Sequence, residues 1–403
     1  MELLLTGFML SDGTGRDPLP HAALHVRDGR IAWVGALSDL PASVRPAVQH
    51  DLTGRTMIPG LIDAHVHVSW NGREAVSQLI HRSRDQLLLE AVGTVRDILA
   101  SGTTTVRDVG GHDYFEMALR WAIDSGRLPG PRMRTSGKII TMTGGHGHYI
   151  ACEADGPDEL RKAARAQIKA GADTIKLMAT GGISTPGQDV EACQFTLEEM
   201  AAAVGAAHAM GRTAAAHCHG AAGIKNAVLA GMDSIEHGSY LDEEAADLMV
   251  ERGTALVFTL KVARPEAKGL SPEARAEAER LQAPLTRLRA RVRESVALAR
   301  EKGLFIGAGS DGGGNPLSPH RFSMANELAE LVDHGFTPLE AITVITQNNA
   351  RILRWDTELG TLEPGKWADL VVLRGNPLDD ITQVRTIETV YKGGEPIAPL
   401  TNY

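Results

Sequence analysis

Cysteine is scarce in this chain: only Cys152, Cys193 and Cys218 occur. Three thiols form no even set for a disulfide framework, and none has Cys-x-x-Cys metal spacing, so a reducing, cytoplasmic setting is expected. Basic charge is also short, with 41 Lys and Arg against 50 Asp and Glu and a formal net charge of -9. Without a basic face or a long run of one sign, nucleic acid is not an expected partner. Long apolar runs are missing too. Leu3-Leu4-Leu5 is soon broken by Gly7, Glu2 stands where a signal peptide would carry basic residues, and no uncharged stretch is long enough for a bilayer. Secretion and membrane insertion are therefore not expected. What remains is ordinary globular composition, 43% hydrophobic and 23% charged over 403 residues, with ample length for a large core.

The chain is organised around Met57-Ile-Pro-Gly-Leu-Ile-Asp-Ala-His-Val-His67, an apolar run that ends in two histidines. In an extended chain His65 and His67 project to the same side and Val66 to the other, so the imidazoles can grip one cation. Before this stretch, Ala22–Val26 and Arg30–Val34 read as short strands between turn signals, and His21, His25 and His50 among them read as solvated or hydrogen-bonded. After it, eight apolar strands alternate with helical stretches: Met57–His65, Thr103–Asp108, Arg132–Ile140, Asp173–Met178, Arg212–His217, Ser234–His237, Ala255–Leu260 and Leu304–Ser310. Eight parallel strands with crossover helices close into a (β/α)₈ TIM barrel of the α/β class. Residues 272–302 read as two helices broken near Pro284, and the segment around 262–302 is a candidate lid. Strand texture returns in Gly360–Leu373 and Thr386–Tyr391. Residues 1–56 and 357–403 are thus expected to form a small discontinuous β-sandwich domain, with a barrel of residues 57–356 inserted between them.

Reactive groups in such a barrel come from the C-terminal ends of the strands. Five of the eight strands end with possible ligands: His65 and His67 on the first, Lys176 on the fourth, His217 on the fifth, His237 on the sixth, Asp311 after the eighth. Each alone has a bland explanation, a rim histidine, a snorkelling lysine or a turn aspartate. Together they make a pattern. An ammonium cannot ligate a cation, but a lysine with a lowered pKa can add carbon dioxide to give a carbamate, an anionic ligand able to bridge two metals.

These pieces resemble the amidohydrolase superfamily, and within it the imidazolonepropionase-like, prolidase-like and ochratoxinase-like group. The resemblance rests on Pro59–His67, Thr104-Thr-Val-Arg-Asp-Val-Gly110, Thr143-Gly-Gly-His-Gly147, Ile175-Lys-Leu177 with Ala179-Thr-Gly-Gly182, Ala216-His-Cys-His-Gly220, Ile235-Glu-His-Gly238, Gly309-Ser-Asp311 and Gly360–Leu373. It implies that His65, His67 and Asp311 hold one divalent ion, His217 and His237 a second, and carboxylated Lys176 bridges both. Zinc is the expected metal, although manganese, iron or cobalt suit the same ligands. Two cations would lower the pKa of a shared water and polarise an amide carbonyl, with Asp311 carrying the proton to the leaving nitrogen.

The resemblance further implies that His146 and Tyr240 contact the substrate, and that the protein is a homo-oligomer. If they clamp a free carboxylate, the substrate is a dipeptide of Xaa-Pro type or an N-acyl amino acid. Ring opening of a cyclic amide is the alternative, and a metal-free binding protein is the alternative of another class. His148, His219, His320 and Arg321 are weaker candidates, His219 as an outer partner.

Overall fold

A computed structural model of the chain describes residues 2–46, 48–263 and 272–397. Glu2–Leu10 is the centre of one sheet, whose other strands are Leu19–Arg27, Arg30–Ala36, Val48–Asp51, Thr56–Pro59, Leu370–Leu373, Ile387–Lys392 and Glu395–Ile397. The central strand runs antiparallel to Leu19–Arg27 and parallel first to Val48–Asp51, then to Thr56–Pro59. Thr56–Pro59 in turn pairs antiparallel with Leu370–Leu373, so both ends of the chain build the same layer. At the far edge Arg30 bridges Trp367 and Ile31 N–H donates to Lys366 O at 2.9 Å. That contact wraps the sheet around Leu5, Phe8, Leu24, Val26 and Leu370, forming the small β domain. The expected boundary at residue 57 falls inside Thr56–Pro59, a strand that belongs to this sheet. His21 and His50 are exposed as expected. His25 departs from expectation: it is buried, and its Nε2 lies 3.8 Å from Glu2 without a hydrogen bond.

The larger part is the (β/α)₈ barrel. Leu61–Val66, Thr103–Asp108 and Arg132–Thr135 pair in parallel, and so do Ile140–Thr141, Thr174–Met178, Thr213–Gly220, Ser234–Tyr240, Ala255–Phe258 and Ile306–Ala308. Backbone hydrogen bonds join the two sheets at both seams: Asp173 N to Thr135 O at 2.8 Å, and Asp311 N to His65 O at 2.8 Å with His67 N to Gly312 O at 2.9 Å. Regular pairing does not run right round the ring among the described residues. The faces turned to the helices are apolar. Ile175, Leu177, Ile235 and Leu256 are fully buried there, each worth about 1.5–3 kcal/mol of transfer free energy.

Two elements differ from the sequence expectation. The third strand is broken into Arg132–Thr135 and Ile140–Thr141 because Gly137, at φ +73°, turns the chain out of extended conformation. Conversely, Pro272–Glu301 is one helix that passes through Pro284. Leu281, Leu285, Leu288, Val292 and Val296 bury successive turns of it. Five such residues at about 1.5–3 kcal/mol each outweigh the roughly 3 kcal/mol that an internal proline costs. Part of the expected lid, residues 264–271, lies outside the described residues. No helix among the described residues is long and apolar enough to cross a membrane.

Candidate metal centre

The C-terminal ends of the barrel strands converge on one cavity, lined by His65, His67, His146, Lys176, His217, His219, His237 and Asp311. His65 and His67 stand at the end of Leu61–Val66 with ring centroids 5.3 Å apart. Their Nε2 atoms lie 3.6 and 3.2 Å from Asp311 Oδ1. The aspartate adopts φ +46°, and its carbonyl accepts the Ser318 hydroxyl at 2.9 Å, which holds this uncommon backbone in place. Gly309 makes the approach possible, since a Cβ there would come 2.4 Å from His65 N.

His237 continues the cluster, its ring 4.8 Å from His65 and 4.6 Å from His217. One ligand atom each from His65, His237 and Asp311 falls within 4.8 Å of the others, spacing that suits a shared cation. Lys176, mid-strand in Thr174–Met178, reaches the same space and is 1% exposed.

Hydrogen bonds fix which ring nitrogen faces inward. His67 Nδ1 donates to Gly110 O at 3.0 Å and His217 Nε2 to Gly181 O at 3.2 Å, while His237 Nδ1 pairs with Thr259 Oγ1 at 2.8 Å. His65 Nδ1 donates to Glu236 Oε2 at 2.8 Å. Glu236 is held by Arg107 at 2.7 Å and by the Ser234 hydroxyl at 2.6 Å. Such outer partners set the tautomer and leave the opposite nitrogen free to ligate.

Neither Glu236 nor Arg107 was singled out as a site residue from the sequence. The signal was present: both lie inside the motifs Ile235–Gly238 and Thr104–Gly110.

The electrostatics fit a cation site. Burial lowers the pKa of His65 to about 4, with Lys176 adding, and holds His217 and His237 well below the ordinary imidazole range, with neighbouring imidazoles adding. These rings are neutral, as ligation requires. His67 differs: burial works against its charge, but the Asp311 carboxylate more than offsets this and raises its pKa. Asp311 is lowered to about 2, because burial is outweighed by His67, His65 and Lys176. Lys176 is lowered to about 8 by burial, with Arg107 adding and Glu236 opposing, which brings its neutral amine within reach of ordinary pH.

His146 is also in the cavity. Its Nδ1 pairs with Thr185 Oγ1 at 2.9 Å, and its ring lies 4.6 Å from His217. His219 stacks on His237 at 5.1 Å and pairs with Ser239, so the structure places it on the cavity wall. Tyr240 is not among the lining residues; it is part-buried beneath the Arg291 guanidinium, 5.9 Å from its ring. His148 is exposed, His320 donates to Trp70 O at 2.6 Å, and Arg321 lies over Phe322. The rest of the wall is largely apolar, including Trp70, Ile139, Met178 and Phe258, with Leu288 and Val292 contributed by the overhanging helix, and Ser184, Ser239, Thr259 and Asn315 interrupt it with polar groups.

Among proteins of known name, ochratoxinase of Aspergillus niger is 32% identical over 96% of this chain and 85% of its own length. Imidazolonepropionase of Paracoccus denitrificans is 27% identical over 90% of both chains. A solved Xaa-Pro dipeptidase, with methionine bound in its active site, superposes with a TM-score of 0.88 at 32% identity, over 98% of this chain and 100% of its own. The family model described as "Amidohydrolase family" matches residues 56–397, and this chain belongs to that family.

Proposed function

We propose that this chain hydrolyses amide bonds with two divalent cations, releasing a C-terminal amino acid from a dipeptide of Xaa-Pro type or from an N-acyl amino acid. One observation carries the reading: four histidines, Asp311 and buried Lys176 converge on a single cavity whose remaining wall is largely apolar. In this reading His65, His67 and Asp311 would hold one ion and His217 and His237 the other, with carboxylated Lys176 as a ligand available to both. The carbamate forms when the neutral Lys176 amine adds to carbon dioxide, making an N–C bond and releasing one proton. Zinc suits this nitrogen and oxygen ligand set. The bound ions would lower the pKa of a water and polarise the scissile carbonyl.

The chain's own groups do the rest. Ionised Asp311 accepts the proton of the attacking water and passes it to the leaving nitrogen. Glu236 and Arg107 keep His65 in one tautomer throughout. His146, its Nδ1 engaged by Thr185, offers Nε2 to the carboxylate or carbonyl of the substrate. Tyr240 becomes a contact only for a substrate that extends beyond the lining. The apolar wall favours apolar acyl groups, in keeping with relatives named ochratoxinase and Xaa-Pro dipeptidase. A homo-oligomer belongs to the same reading, by resemblance.

The test is to incubate zinc-reconstituted protein, in bicarbonate, with Xaa-Pro dipeptides, other dipeptides, N-acyl amino acids and cyclic amides, and to score released amine. Release of a C-terminal amino acid is expected. Opening of cyclic amides alone would overturn the carboxylate contact and favour the ring-opening alternative.

A further inference from the structure

A second cavity lies at the opposite end of the barrel, where strands Thr174–Met178 and Thr213–Gly220 begin. Arg107, Arg134, Arg212 and Arg354 line it, and Asp173 is the one carboxylate among its lining residues. Its volume is about 100 Å³, space for roughly three waters or one small ion.

The charges here do not balance. Arg107 is neutralised by Glu236 at 2.7 Å and Arg354 by Asp233 at 2.8 Å. Asp173 faces the two lining guanidinium groups that remain, Arg134 and Arg212, at 3.2 and 3.7 Å, and is also bonded directly by a third, Arg120, from outside the lining. One carboxylate against three cations leaves two positive charges uncompensated.

The hydrogen bonding is incomplete in the same place. A guanidinium carries five N–H donors. Arg134 spends one of them on Asp173, and its plane is fixed 3.9 Å over the Trp355 ring. The Arg212 guanidinium makes no hydrogen bond among the described residues, and its Nε is sealed from solvent without a partner. Burial holds the Arg134 pKa below the ordinary range despite Asp173, with Arg212 and Arg120 adding to the effect. An arginine cluster that served stability alone would pair its charges off. This one gathers them around a concavity.

We infer that this cavity binds a small doubly charged oxyanion, phosphate or the phosphate group of a small phosphomonoester, between Arg134 and Arg212. Planar guanidinium forks suit such an anion, and two negative charges match the local excess. Arg107 forms part of the wall and also holds Glu236, so the bound anion and the metal centre share a guanidinium.

The test is calorimetric titration of inorganic phosphate into the zinc-loaded enzyme and into Arg212→Gln, with acetate as the singly charged comparison. Expected are saturable binding by the wild type, at least tenfold weaker binding in Arg212→Gln, and a phosphate-dependent rise in Tm that the variant loses. Acetate should bind at least tenfold more weakly than phosphate. Should Arg212→Gln not fold, Arg212→Lys keeps the charge but not the planar fork, and must still weaken phosphate at least threefold. The proposal is overturned by absence of saturable binding, by unchanged affinity in the variant, or by binding that disappears when the metal is chelated, which would place the anion at the other end of the barrel.

Discussion

Glu236 Oε2 and His65 Nδ1 lie 2.8 Å apart, and both side chains are shut off from solvent. Burial pushes the carboxyl of Glu236 up, but Arg107, the His65 hydrogen bond and Lys176 together hold it well below the usual range. An ionised acceptor at this position locks the His65 N–H outward from the cavity and leaves Nε2 for a ligand. Glu236→Gln is therefore expected to weaken metal binding about 10–100-fold, the usual cost of losing an outer partner. Competition against a chromogenic chelator measures this, and an unchanged affinity would dismiss the orienting role.

Lys176→Ala removes the group on which the bridging carbamate depends. Metal content should fall by about one ion or more per chain, and turnover by more than the roughly 100-fold ascribed to an outer partner. Metal analysis and initial rates in bicarbonate decide the matter. Full occupancy with normal turnover would falsify the carbamate.

Gly182 is pressed against His146: a Cβ at this position would sit 2.3 Å from its Nε2. Gly182→Ala should displace the imidazole without touching a metal ligand. For a substrate with a free carboxylate we expect KM to rise severalfold at nearly unchanged metal content, and His146→Gln to do the same. If KM is unmoved in both variants, His146 is not the substrate contact.

Glu116 supplies a pH dependence. Burial raises its pKa to about 8, and the nearby Asp108 carboxylate adds to the rise. The folded chain thus keeps a proton that the unfolded chain releases near the ordinary value of about 4.3. Between those limits the folded state binds more protons, so this group's contribution is fully present below about 4.3 and is lost as pH rises through about 8. Glu116→Gln should remove that slope, and its Tm should gain on the wild type between about pH 5 and 8. Parallel Tm curves for the two proteins across this range would contradict it.

Much of this arrangement can be read along the chain, for reasons that differ by residue. His65 and His67 announce themselves because strand alternation alone puts them on one face, and Asp311 because glycines surround it at a strand end. The Arg107–Glu236–His65 chain is harder to see. Its members are separated by up to 171 positions, and nothing local distinguishes a buried, paired Glu236 from a solvated one. Gly137 looked compatible with a strand because glycine identity does not state the sign of φ. Pro284 looked like a break because the buried stripe that carries the helix across it exists only once the barrel is there to pack against.

Gly60 is where the two parts of the molecule join. Its N–H donates to Asp369 O at 2.9 Å in the terminal sheet, while the next residue, Leu61, donates to Gly102 O at 3.0 Å in the barrel. A Cβ at Gly60 would strike Thr104 Oγ1 at 2.1 Å, so the handover is tight. Five residues further on stands His65. Fraying of the terminal sheet would therefore pull directly on the histidine pair, and the small domain and the candidate metal centre should melt together in a single cooperative transition, with any bound metal released in that same step.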